Sequence, residues 1–283
     1  MSNQVQNLNE KISILGVPVN KIGFFDTLKK IDEFVRSGQP HQIATVNAEF
    51  IMGAQKDREL LKILQNTDLN TPDGMGTVWA AKYLAKNEKL KTKNYSGALR
   101  LLSNFFWLKT TLLAIIFARK WLRSEIKERV TGIDLMWEIA NLAQERGWSI
   151  YLLGAGEGVA TEVAEKLTAL YPRLQIAGGY SGRPEETGLV EKIAKTKPDI
   201  LFVAFGNPKQ EKFIFKNKKE LGAKVMMGVG GSFDFITGRA KRAPQFLQKL
   251  GLEWFWRLIR EPKRALRIYN ATVKFVWSVF RQG

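Results

Sequence analysis

The strongest constraint on the fold is an alternation. From Arg129 onwards, short apolar runs of strand length take turns with stretches of helix length. Ser149 to Leu153, Leu174 to Gly178, Asp199 to Phe205 and Lys224 to Val229 read as strands. Ile133 to Arg146, Glu157 to Leu170, Pro184 to Lys195 and Pro208 to Glu220 read as helices. Parallel neighbours need a long crossover, and a helix supplies it. The pattern predicts an α/β fold, a Rossmann-like and mainly parallel sheet covered by helices on both faces. The earlier chain fits the same scheme. Ile12 to Val19 reads as a strand or hairpin arm, with a helix capped by Asp26 or Thr27 running to about Ser37. A strand at Gln42 to Val46, a helix that Asn47 can cap and a helical run over Glu59 to Gln65 follow.

Composition closes off several chemistries. There is no cysteine, which removes disulfides, thiolate nucleophiles and cysteine metal sites. The one histidine, His41, stands just before a strand and reads as a bystander, so a Ser-His-Asp hydrolase or a His-rich zinc site is not expected. Lys and Arg total 44 against 27 acidic residues, a formal charge of +17 that calls for an anionic partner. Met1 to Lys11 is polar and lacks an apolar core, so no secretory signal is expected and the chain should stay in the cytoplasm.

Candidate chemistry gathers where strands hand over to helices, the edge at which open α/β sheets bind ligands. Asn70-Thr71-Pro72-Asp73-Gly74-Met75-Gly76 sets a carboxylate between Pro and Gly, suited either to chemistry or to capping the next helix. Gly154-Ala155-Gly156-Glu157-Gly158 is a phosphate-binding setting or a plain tight turn. Val159 stands at the third glycine of the dinucleotide fingerprint and no acidic residue follows at ribose distance, so NAD is not expected. Phe205-Gly206-Asn207-Pro208-Lys209-Gln210-Glu211 predicts a helix with Asn207 as N-cap and Pro208 in its first position. Lys209 and Gln210 would then face the ligand edge, for a phosphate and a sugar hydroxyl. Gly230-Gly231-Ser232-Phe233-Asp234 is a third glycine-rich strand end, with Asp234 as a base, ribose or turn-capping residue. The chain has no Asp-x-Asp pair, which a carboxylate-bound divalent ion would want; a lysine and arginine clamp on a diphosphate is the alternative, and no cofactor is expected.

Two segments depart from the α/β rhythm. Residues 86–128 begin as a lysine-rich linker, Lys86 to Lys93, and continue as an apolar, aromatic stretch from Leu99 to Leu122 with basic flanks. It is too interrupted for a bilayer span of about 20 apolar residues and reads as an interfacial helix, or as a buried or dimer-forming one. Residues 239–283 read as a basic, aromatic, helical appendage to a core spanning 1–238. Arg257, Arg260, Arg264 and Arg267 recur there at helical spacing, suited to phosphate groups on an anionic membrane surface. No nucleic-acid module precedes the appendage, and nucleic acid is not expected as a partner.

Thr45-Val46-Asn47, the Asp73 turn, Glu128-Arg129-Val130-Thr131-Gly132-Ile133-Asp134-Leu135, Gly206 to Glu211, Gly230 to Asp234, Arg242-Ala243-Pro244, Gly251-Leu252-Glu253-Trp254 and Glu261-Pro262-Lys263-Arg264 stand in order along the chain. Together they resemble the WecG/TagA/CpsF bacterial glycosyltransferases (glycosyltransferase family 26), from about residue 12 to 268. The resemblance implies an inverting, metal-independent transfer of a sugar from a UDP-sugar donor to a polyprenyl-diphosphate-linked acceptor. The setting would be the inner face of the plasma membrane. It implies Asp73 as general base and Thr45, Asn47 and Gln210 lining the pocket. Asp234 would meet the nucleotide, with Arg129 beside the substrates; the strand-end reading adds Gly154, Gly156, Asn207, Lys209, Gly230 and Gly231 as substrate-binding candidates. Arg257, Arg264 and Arg267 would complete the site over the diphosphate from the membrane-associating appendage. A homo-oligomer is possible by the same resemblance, and an accessory nucleotide-sugar-binding subunit without turnover is the alternative. The 86–128 segment is longer and more apolar than the family pattern and is expected to form a second membrane-binding element.

Overall fold

The structure, a computed structural model, describes residues 10–91 and 97–283. Most of the N-terminal stretch read for a secretory signal, and the end of the Lys86 to Lys93 linker, lie outside the described residues.

An antiparallel hairpin, β1 (Lys11–Ile14) and β2 (Val17–Asn20), leads into helix α1 (Phe24–Ser37). Strand β3 (His41–Val46) is followed by α2 (Ala48–Ala54), α3 (Arg58–Asn66) and β4 (Leu69–Pro72). Then come α4 (Met75–Lys91), α5 (Gly97–Phe117), α6 (Arg119–Leu122) and α7 (Gly132–Arg146). The second half runs β5 (Ser149–Gly154), α8 (Val159–Leu170), β6 (Gln175–Tyr180), α9 (Leu189–Ala194), β7 (Ile200–Ala204), α10 (Lys209–Asn217) and β8 (Val225–Gly228). It ends with α11 (Ser232–Thr237), α12 (Gln245–Lys249), α13 (Glu253–Arg260), α14 (Ala265–Tyr269) and α15 (Phe275–Gln282). Strands β3 to β8 form one parallel sheet in the order β4-β3-β8-β7-β5-β6, with helices on both faces as the alternation predicts.

The strands are apolar throughout because both faces are buried. Ile150 and Leu152 of β5, Ile200 and Phe202 of β7, and Val225 and Met227 of β8 pack against α1, α7, α8 and α11. The residues between them, Tyr151, Leu153, Leu201, Val203 and Met226, pack against α9 and α10. A one-residue slip would exchange the two sets, so two-sided packing pins the register. At the other end, Ala44 and Val46 of β3 join the hairpin, α2, α3 and α4 in a further core cluster.

Several boundaries differ from the sequence reading. Helix α9 begins at Leu189, not near Pro184: the Glu186 carboxylate accepts from Tyr180 Oη at 2.6 Å, holding that segment as a turn beside β6. Helix α1 begins at Phe24, ahead of Asp26 and Thr27, because Glu128 Oε1 accepts from the Phe24 N–H at 2.6 Å. Asn207 does not cap α10, which starts at Lys209; the Gly206 carbonyl accepts from the Gln210 N–H instead, at 3.0 Å. Helix α4 continues through Lys91, over most of the expected linker. Asn47 does cap α2, accepting from the Phe50 N–H at 3.0 Å.

The C-terminal helices return to the body of the molecule. Phe275 and Val279 of α15 are fully buried, Phe275 edge-on to Trp79 of α4 at 6.2 Å between ring centres. Gln282 fastens the last turn to the hairpin, accepting from the Leu15 N–H at 2.8 Å and donating to the Ser13 carbonyl at 3.1 Å. Phe275→Ala is expected to cost about 3–5 kcal/mol of folding stability, read from the urea midpoint, since it opens a cavity between α15 and α4.

Candidate functional site

All six strands run the same way, so the loops after β3, β4, β5, β7 and β8 open on one edge. Asp73 follows β4 directly. Its N–H donates to the Val46 carbonyl of β3 at 2.9 Å, and Val130 N–H donates to the Pro72 carbonyl at 2.8 Å, so β3, β4 and the start of α7 meet beneath it. Gly74 takes φ +94°, which carries the chain out of the strand and into α4 while the Asp73 side chain stays at the edge. Thr45 is buried against the α7 start, where a Cβ on Gly132 would come 3.3 Å from its hydroxyl. Asn47 lies across from Gly74, though its Oδ1 is engaged in capping α2.

The Asp73 carboxylate is half-buried and, among the described residues, receives no hydrogen bond. Burial pushes it up to about 6; the Glu253 and Asp134 carboxylates add to the rise, while Arg257 and Arg129 oppose it. These neighbours hold one another in place. Arg129 pairs with Glu253 of α13 at 2.8 Å. Arg242 grips Asp134 with two hydrogen bonds of 2.6 and 3.0 Å, and Thr131 Oγ1 donates to the same carboxylate at 2.6 Å. Burial works against the Asp134 charge, but those hydrogen bonds prevail and hold its carboxyl below the usual range. The C-terminal segment therefore supplies two of the charges that act on Asp73. Arg264 and Arg267 are engaged elsewhere, with Glu261 and with Glu49 of α2.

Gln210 occupies a place the sequence did not suggest. Its side chain is buried, with Oε1 accepting from the Gly206 N–H at 3.1 Å and the Gly230 N–H at 3.0 Å. Its Nε2 donates to Glu211 Oε1 at 2.8 Å. The pair straps the loop after β7 to the loop after β8. Gly228 makes room for it: an added Cβ would collide with Gln210 Nε2 and lie 2.5 Å from Glu211 Oε1. Among the described residues Glu211 Oε2 is buried without a partner, and burial pushes this carboxyl up to about 8 even though Gln210 favours its charge. Asn207 Oδ1, next to the strap, is likewise buried and unpartnered.

Beyond β8 the edge opens into a cleft of about 650 Å³, lined by Gly156, Tyr180, Ser181, Arg183, Phe205 and Lys209 among others. Gly156 and Lys209 thus share this cleft, some distance from Asp73: four strand steps separate β4 from β5, about 19 Å. At the end of β5, an added Cβ on Gly154 would meet Phe205, which lines the cleft, at 2.9 Å. Gly231 is exposed beside the strap, and Asp234 is half-buried in the first turn of α11. Glu253, Asp134, Arg242 and Glu211 were not picked out as site residues in their own right. Their roles depend on pairing across long stretches of chain, which no local spacing reveals.

The edge of this α/β fold thus carries a carboxylate among charges of both signs at one end and a cleft lined by Lys209, Arg183 and Glu157 at the other. Comparison with known proteins gives the family: the model of the Glycosyl transferase WecG/TagA/CpsF family matches residues 12–105 and 113–283, and the chain belongs to that family. It is similar to the N-acetylglucosaminyldiphosphoundecaprenol N-acetyl-beta-D-mannosaminyltransferase of Bacillus subtilis (strain 168), 32% identical over 93% of this chain and 87% of the relative. Proteins of the same name match from Bacillus spizizenii (27%, covering 93% of this chain and 90% of the relative) and Staphylococcus aureus strain MRSA252 (28%, covering 95% and 92%). Like these relatives the chain is an enzyme, a hexosyltransferase.

The Glu211 proton has a measurable consequence. Its folded-state value lies above the ordinary carboxylate value, so its contribution to stability is complete below about pH 4.5 and is lost as pH rises towards 8. Glu211→Gln, which keeps a neutral side chain of the same shape, is expected to flatten the fall in urea midpoint between those limits.

Proposed function

We propose that the chain moves an N-acetylmannosamine-type sugar from a UDP-sugar to a polyprenyl-diphosphate-linked N-acetylglucosamine during cell-envelope polysaccharide synthesis. The observation that carries this reading is Asp73: a half-buried carboxylate free of hydrogen bonds among the described residues, raised to about 6 and flanked by Arg129 and Arg257. Such a group suits a general base at neutral pH, ionised yet basic enough to take a hydroxyl proton. The acceptor hydroxyl gives its proton to Asp73 as its oxygen bonds to the anomeric carbon. The bond from that carbon to the diphosphate oxygen breaks, and UDP leaves with the electron pair. A single displacement inverts the centre, in keeping with the β-linkage in the relatives' name and the α-linkage of a UDP-sugar.

The leaving diphosphate needs positive charge. Arg257 and Arg129 supply it near Asp73, and Lys209 and Arg183 line the cleft where the donor's nucleotide end would lie, so no metal is invoked. Thr45 and Asn47 border the acceptor side, while Gly230, Gly231 and Asp234 border the donor between cleft and base. Gln210 serves this site as the strap behind it. A UDP-sugar is a cytoplasmic metabolite and the acceptor is a lipid, which together set the reaction on the inner face of the membrane. Among the described residues no helix is long and apolar enough to cross it. Residues 239–283 act as the membrane-associating part, with Trp254, Phe255, Ile259 and Leu266 exposed.

The test is UDP release from UDP-N-acetylmannosamine with polyprenyl-diphosphate-N-acetylglucosamine in vesicles. Acceptor-dependent release is expected, falling roughly 10²- to 10⁴-fold in Asp73→Asn; release that ignores the acceptor, or survives the substitution, overturns the reading. In the intact protein kcat/KM should climb with pH through about 6 as Asp73 ionises. Glu253→Gln removes a carboxylate that raises Asp73 and is expected to move that limb to lower pH.

A further inference from the structure

Helix α5 has two unlike faces. Trp107, Thr111 and Ala114 are buried against α4, with Trp107 Nε1 donating to the Tyr83 carbonyl at 3.3 Å and Trp79 Nε1 donating to Thr111 Oγ1 at 3.0 Å. On the opposite face Leu101, Leu102, Phe105, Phe106, Leu113 and Phe117 stand in solvent, Phe106 and Phe117 being 72% and 81% exposed. At about 1.5 Å per residue this apolar face is roughly 24 Å long, and Lys109 lies exposed along it. It does not end with α5. Phe105 meets Phe280 of α15 edge-on at 5.9 Å, and Phe280 stacks on Trp277, itself 53% exposed.

The charge pattern limits what can cover this surface. From Lys89 to Ser124 the chain has no acidic residue, and from Pro262 to Gly283 it has none again. Both stretches carry only cations, and the Phe105–Phe280 contact brings them together. A second copy would set cation against cation, whereas an anionic bilayer offers phosphate to the charges and an acyl boundary to the rings. The surface also adjoins the site. A Cβ on Gly251 would lie 2.8 Å from Met75 Cγ and 3.9 Å from Ile115 Cγ2, so Gly251 sits between α5 and the residue two places after Asp73. Residues 106–112, in the middle of this helix, fall outside the family match.

We infer that the exposed face of α5, continued by Phe280 and Trp277, is a docking surface for an anionic lipid bilayer, which seats the mouth of the Asp73 site against the membrane. The inference rests on the reading of a lipid-linked acceptor and names the element that meets the lipid. Its test compares the full chain with the triple variant Leu102→Gln, Phe106→Gln, Phe117→Gln, whose far-UV spectrum and urea midpoint should match the parent because all three side chains are exposed. Co-sedimentation with phosphatidylcholine vesicles containing phosphatidylglycerol should fall roughly tenfold or more in the variant, and parent binding should weaken without phosphatidylglycerol or in high salt. UDP release with a short-chain, water-soluble acceptor should be the same in both proteins. Equal vesicle binding by the variant overturns the inference. So does a parent that ignores vesicles and instead elutes as a dimer which the variant breaks into monomers. Parent protein that binds vesicles yet never turns over the soluble acceptor counts against the transferase reading alone and leaves the docking surface standing.

Discussion

The structure depends on the demand of parallel strands for cover on both faces. Parallel neighbours cannot be joined by a tight hairpin, so each connection crosses a face of the sheet, and each crossing helix buries the side chains beneath it. Ile200 and Phe202 point one way and Leu201 and Val203 the other, all out of water. Because every strand of the six-stranded sheet runs in the same direction, the same demand delivers each of its outgoing loops to one edge. Site and core are therefore two results of one packing rule.

The loops at that edge also need holding, and the molecule spends buried polar groups on it. Gln210 satisfies two backbone N–H groups from different loops with a single oxygen, and Glu211 anchors Gln210 from behind. Leaving such donors unpaired in a buried setting would cost about 1–3 kcal/mol each. The orphaned Glu211 oxygen is consistent with a carboxyl that keeps its proton.

Much of this was legible in the chain and some was not, for physical reasons. The alternation that marks β5 to β8 is a local property, as is the cap Asn47 makes, and both could be read directly. The Pro184 helix failed because Tyr180, from the preceding strand, captures Glu186 and competes with the helix for that turn. Asp73 was recognisable from its Pro and Gly neighbours. Its charge environment was not, because Glu253, Asp134 and Arg242 arrive from distant segments. Gln210 was noticed for its position in the first turn of a helix, yet what it touches depends on Gly228 lacking a side chain, a fact of three-dimensional room. The apolar stretch from Leu99 was readable as interfacial or buried; the fold buries one face of α5 and leaves the other exposed.

The ion pair between Arg129 and Glu253 has an implication for how such enzymes diversify. Burial raises the proton affinity of Asp73 most, and α13, a helix far along the chain that contributes no strand to the sheet and no backbone to the turn holding the aspartate, adds opposing charges through Glu253 and Arg257. On the proposed reading of Asp73 as the base, its position and its tuning are inherited separately. A lineage adapting to a more acidic or more alkaline interior can retune its base through residues 253 and 257 while the strand, the turn and the aspartate remain untouched.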